Sequence, residues 1–177
     1  MKPHTTELAA NSTVRPHSRT AKVMHWGFIG IFIYALTKQL DEVEELEDFA
    51  LLQYEMVFAT VFLLLLGVRF IYMRFTRPTA LPADTPRAVS LAAKCCHIGM
   101  YLSLSLIAIT GLVIGSLYGS GTKSGAAMEV TLVLHEIAVN SSFILIAIHI
   151  CAAIYHRRKS DGIWNSMVPV LKVPGKD

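Results

Sequence analysis

Charge is scarce in this chain. Only 16% of its 177 residues are charged, against 53% hydrophobic, and the mean hydropathy is +0.49. A soluble domain carries about 25% charge, so an ordinary water-exposed fold is excluded. Cysteine is sparse too: Cys95 and Cys96 are adjacent, Cys151 stands apart, and no disulfide framework follows. Cys95-Cys96-His97 lacks the two intervening residues that a c-type haem attachment needs. There is no sequence repeat. The first apolar run is followed by no small-residue cleavage site, so it is expected to stay as a membrane helix rather than act as a secretory signal.

What is present is a set of long apolar runs with the charges pushed between them. Four helices are expected, at about 23–40, 49–75, 89–117 and 130–156. A spanning helix needs ~20 residues at ~1.5 Å each, and only helices satisfy their own backbone in lipid when the sheet alternative is not closed. The expected fold is an all-α membrane protein: a four-transmembrane-helix bundle at 23–159, with tails at 1–22 and 160–177. The acidic stretch 41–48, the segment 76–88 with Pro78, Pro82 and Pro86, and the Gly/Ser-rich 118–128 read as connections. Fourteen of the sixteen Lys and Arg fall on the N-tail, the middle connection with its flanks, and the C-tail, leaving only Lys38 and Lys123 on the other side. The positive-inside rule then puts both termini in the cytoplasm.

Ionisable residues within a span are costly and are functional hypotheses by default. Here they are His25, Glu55, Arg69, His97, His135, Glu136 and His149. His135 and His149 lie 14 positions apart in the fourth run. That spacing leaves them ~40° apart in azimuth and ~21 Å apart along the axis. Two imidazoles on one face at two depths suit two haem planes, with partners from facing helices. His25 matches the depth of His149 and is expected to share its iron. At the depth of His135 the second run offers Glu55, and that run has no histidine. A lone intramembrane histidine serves equally as a hydrogen-bonding group between helices. His97 is open to a haem propionate, a quinone head group or a neighbouring helix. His156 is expected at the interface, and His4 and His17 in solvent. The three cysteines read as small packing residues. Gly27, Gly30, Gly67, Gly111 and Gly115 mark either close helix approach or room for a flat ring.

The combination of His25-Trp26, Arg69, His97, His135-Glu136 and His149, in order across residues 19–165, resembles the bacterial cytochrome b561 family, related to the b-type cytochrome subunits of hydrogenases and formate dehydrogenases. The resemblance implies a four-helix bundle with haem b on His25 and His149. It further implies an outer haem on His135 and a second-helix histidine, whose place Glu55 takes. Glutamate is a hard donor and a poor axial ligand. Three alternatives stay open: a Glu55–His135 hydrogen-bonded pair without haem, a haem held by His135 alone, or Met56 as the second ligand.

The resemblance implies electron transfer between the quinone pool and a redox partner in a respiratory chain. Alternatives are the haem-b anchor of a multi-subunit dehydrogenase, a quinone-linked superoxide oxidase and, from another class, a haem-free transporter or structural membrane protein. An electron carrier is favoured over a stand-alone enzyme. The expected cofactor-binding residues are His25, His149, His135, His97 and Arg69, with His25, His149 and His135 as iron ligands. Membrane lipid, ubiquinone or another quinone, and a redox protein are the expected partners. A homodimer is the oligomeric alternative, and no nucleic acid is expected.

Overall fold

A computed structural model describes residues 17–38, 43–76, 81 and 85–172. His4, Lys2, Arg15, Arg77, Pro78, Pro82 and Lys176 lie outside the described residues. Among those described, every regular element is helical: α1 (Arg19–Leu36), a 3-10 turn (Val43–Glu47), α2 (Phe49–Thr76), α3 (Arg87–Gly119), α4 (Ala126–Lys159) and α5 (Ile163–Met167).

The boundaries follow from local chemistry. α1 begins at Arg19, earlier than the expected 23, because Ser18 caps it: its Oγ accepts from the Ala21 amide at 3.1 Å. α1 closes at Leu36 rather than 40, with the Thr37 hydroxyl donating to the Tyr34 carbonyl at 2.7 Å. Asp48 caps α2, its Oδ1 accepting from the Ala50 amide at 2.8 Å and the Leu51 amide at 3.4 Å. Pro86 immediately precedes α3, where its missing N–H costs nothing.

α2, α3 and α4 are long and apolar enough to cross a membrane; these are the three such helices among the described residues. The fourth expected span, α1, is not one of them: it has 18 residues, and its first two turns carry Arg19, Lys22 and His25. Large apolar side chains cover the outside of the helices, Phe75 at 84% and Leu64 at 65% exposure among them. A soluble protein does not leave apolar surface so continuous in water.

α3 is the central helix and packs against both α2 and α4. Glycine makes this close: a Cβ on Gly115 would lie 2.9 Å from Met56 Cγ, and one on Gly111 would lie 3.7 Å from His135 Cε1. Gly27, Gly30 and Gly67 meet nothing within 4 Å, so the helix-approach reading holds for two of the five glycines. At the end of the bundle carrying the connections, Leu46, Leu52, Ile114, Tyr118 and Met128 form a buried cluster. Lys123 closes that end on Glu47 at 2.8 Å, and the partnership holds the Glu47 carboxyl below its usual range. A second cluster, Phe62, Leu66 and Ala108, lies further along α2 and α3.

α1 joins the other helices through rings: Phe28 on Phe62 at 5.8 Å, Phe32 on Phe143 at 6.1 Å and Tyr34 on Phe58 at 6.0 Å. The C-terminal segment is more than a tail. Beyond α4 it turns back, and α5 lands on the start of α1, where the His17 amide donates to the Ser166 carbonyl at 3.3 Å. His17 and Ser166, toward either terminus of the described residues, therefore meet at one end of the bundle, the termini end.

Candidate functional site

Three imidazoles converge at the termini end. The ring centroids of His25 (α1) and His149 (α4) are 6.2 Å apart with planes at 68°. His97 (α3) approaches the other flank of His149, at 5.1 Å and 79°. His149 therefore stands between the other two. His25 and His149 were expected to share a depth, and the structure brings them together; it adds His97 to the same group.

Arg69 (α2) ties this group to the rest of the bundle. The guanidinium only donates. Its Nη2 donates to His25 Nδ1 at 3.1 Å, its Nε to the Tyr101 hydroxyl at 3.2 Å, and its Nη1 to the Met24 carbonyl at 3.3 Å. The Phe28 ring lies 5.3 Å from its central carbon, a cation–π contact. One side chain thus links α2 to α1 and α3 and orients the His25 ring. His25 Nδ1 is the acceptor in this contact, which places the ring proton of neutral His25 on Nε2.

His97 is arranged the other way. Its Nδ1 is 2.7 Å from the Ala93 carbonyl, which only accepts, so Nδ1 carries the proton and Nε2 keeps a lone pair. His135 shows the same logic toward the far end of the bundle. Its Nδ1 lies 2.8 Å from the Thr110 hydroxyl, which donates to the Leu106 carbonyl at 2.6 Å. With its one proton committed, Thr110 accepts from His135 Nδ1–H, and Nε2 is left as the free lone pair. Metal-binding histidines are commonly held by such a second hydrogen bond. Thr110 is 4% exposed. A threonine in an apolar helix, one among several, gave no signal that singled it out.

Glu55 lies on the same face of α2 as Arg69, 14 positions away, ~40° in azimuth and ~21 Å along the axis. Its Oε1 is buried and has no hydrogen-bond partner. The Glu55–His135 hydrogen bond, one of the three alternatives, is not formed. Met56 packs with Leu52 against Gly115 and the apolar cluster. Cys95 and Cys151 are exposed and free, and Cys96 touches the Leu145 carbonyl at 3.5 Å. His156 pairs with Asp161 at 2.6 Å. His17 is not a solvated tail residue: its Nδ1 is buried and unpartnered.

An apolar helical bundle with histidines grouped at one end has the form of a helical membrane protein whose imidazoles could hold a metal-bearing group. The model of the prokaryotic cytochrome b561 family matches residues 16–170, and the chain belongs to that family. Membership makes it a membrane b-type cytochrome of electron transfer and implies haem b. Neither the curated proteins nor the solved structures yield a match to it.

The residues at the termini end fit such a group. Two metal–imidazole bonds of about 2 Å, each extended by roughly 1.1 Å from nitrogen to ring centre, set the centroids about 6 Å apart. The His25–His149 separation of 6.2 Å meets that requirement.

Proposed function

We propose that this cytochrome holds one low-spin haem b between His25 and His149 and uses it to exchange electrons with the quinone pool. The observation that carries the reading is the 6.2 Å separation of those two rings. When bound, haem supplies a one-electron carrier. The chain would supply two nitrogen lone pairs, one from α1 and one from α4, at half-buried positions of the bundle. His25 would hold the iron through Nε2 with its proton on Nδ1, and Arg69 would then keep its bonds to Tyr101 and Met24 rather than the one to His25. Its charge would remain beside the site, where positive charge favours the reduced form.

His97 is the group proposed to meet the quinone. It is exposed and adjoins His149, and its bare Nε2 accepts the proton that a quinol hydroxyl gives up on oxidation. The protein is proposed to form a four-span bundle in the inner membrane, with α1 as the short span and both termini cytoplasmic. The clustering of Lys and Arg at the termini end supports this orientation. Residues 23–159 then form the haem-binding domain, and the strap beyond α4 lies at the cytoplasmic face.

At the far position, His135 is proposed as the lone protein ligand of any second haem. The Thr110 contact prepares its Nε2, and α2 offers the carboxylate of Glu55 rather than an imidazole at that depth.

Purified protein tests the reading. It is expected to be red, with a Soret band that sharpens and shifts on dithionite reduction and with fewer than two low-spin haems per chain. Folded protein that stays colourless after expression with added haem contradicts it.

A further inference from the structure

The termini end is closed by a strap that the apolar pattern does not foreshadow. Ser160 and Gly162 take left-handed backbone, φ 55° and 83°, and turn the chain back at the end of α4. Asp161 is fixed between them by His156 Nδ1 at 2.6 Å and the Ile163 amide at 3.2 Å. α5 then docks on α1: the His17 amide donates to the Ser166 carbonyl at 3.3 Å, and Trp26 Nε1 donates to the Met167 carbonyl at 3.4 Å. Ser166 is 3% exposed.

This docking covers His17 and leaves its Nδ1 without a partner. A buried polar atom left unpaired carries its full desolvation penalty, so a partner from outside the chain is called for. The surroundings say what kind. Lys22 and His97 are the basic groups close enough to act on His17, and His17 in turn is close enough to act on His25. Among the described residues no carboxylate acts on His17, His25 or His149. Asp161, the one acid of the strap, is committed to His156. With Arg69 on His25, six basic side chains (His17, Lys22, His25, Arg69, His97 and His149) gather here, and among the described residues none of them pairs with a carboxylate.

We propose that His17 binds a propionate carboxylate of the haem held by His25 and His149, with Lys22 supplying the neighbouring positive charge. The proposal rests on the haem reading above. Nδ1–H of His17 donates to the carboxylate, a charge-assisted bond of the stronger class, and the strap holds the imidazole in place. The two haem propionates bring the negative charge that the basic cluster lacks.

The test uses the full chain, stripped of haem and reloaded with either haem or haem dimethyl ester, whose propionates are masked. Loss of haem to excess apomyoglobin is followed at the Soret band. His17→Ala is expected to lose native haem about tenfold faster than wild type, in line with outer-shell partners of metal sites. His17→Gln retains an N–H donor and is expected to recover most of that loss. With the dimethyl ester, wild type and His17→Ala are expected to release haem at the same rate. A His17→Ala effect of equal size with both haems, or none with native haem, overturns the proposal. Wild-type chain that binds neither haem overturns the His25–His149 reading itself, and the two failures are distinguishable.

Discussion

Arg69 donates to Nδ1 of His25 across 3.1 Å while also holding Tyr101 and the Met24 carbonyl. That one guanidinium stands against a proposed iron ligand and fastens three helices. Arg69→Leu is therefore expected to cost about 1.5–3 kcal/mol from the hydrogen bonds to a charged group, read as a lower melting temperature in detergent. It is also expected to lower the haem midpoint potential, measured by spectroelectrochemical titration. Arg69→Lys keeps the charge but not the fork and falls between the two. An unchanged potential in Arg69→Leu removes Arg69 from the cofactor's surroundings.

His97→Ala is expected to leave the low-spin spectrum intact, because His25 is the proposed partner of His149 and the exposed His97 ring is the proposed proton acceptor. Reduction of the haem by a water-soluble quinol is expected to slow by about 10²-fold, the scale of a lost general base. Stopped-flow absorbance reads both. Loss of the low-spin spectrum in this variant would instead make His97 the partner of His149.

Glu55→His supplies the imidazole that α2 lacks. At the depth of His135, it is expected to add a second low-spin haem, seen as a raised pyridine haemochrome ratio and a second low-spin EPR signal. Thr110→Val in that background removes the acceptor for His135 Nδ1–H and is expected to weaken the added site about 10–100-fold. No change in stoichiometry with Glu55→His means that the packing of Leu52 and Met56 on Gly115 leaves no room for the ring.

Gly115→Leu forces a side chain where a Cβ alone would stand 2.9 Å from Met56 Cγ. Overpacking of this kind costs about 1–3 kcal/mol. Gly27→Ala, with nothing within 4 Å, is expected to be neutral in the same thermal melt. Equal effects at both positions would contradict the close approach of α2 and α3.

The helices were legible because lipid leaves one solution for an apolar run: α2 starts at its expected residue, and no end of α2, α3 or α4 lies more than four residues beyond expectation. α1 was harder. Hydropathy discounts Arg19 and Lys22, whereas the Ser18 cap recruits both into the helix. The pairing of His25 with His149 could be anticipated because helical geometry fixes depth and face along a known run. The third neighbour, His97, could not be placed, since its approach depends on how α3 lies against α4. His17 was misjudged for a related reason: its burial comes from a strap folded back through left-handed Ser160 and Gly162, and residues 160–177 had been read as a tail. The Thr110 relay is likewise tertiary, an interhelical contact 25 positions apart in sequence.

The pairing of residues 25 and 149 is tested most directly by low-temperature EPR of the oxidised protein, with His25→Ala and His149→Ala measured beside wild type. Wild type is expected to show a low-spin bis-imidazole signal, and each substitution is expected to abolish it, leaving high-spin iron or none. The same low-spin signal surviving in both variants would contradict the account.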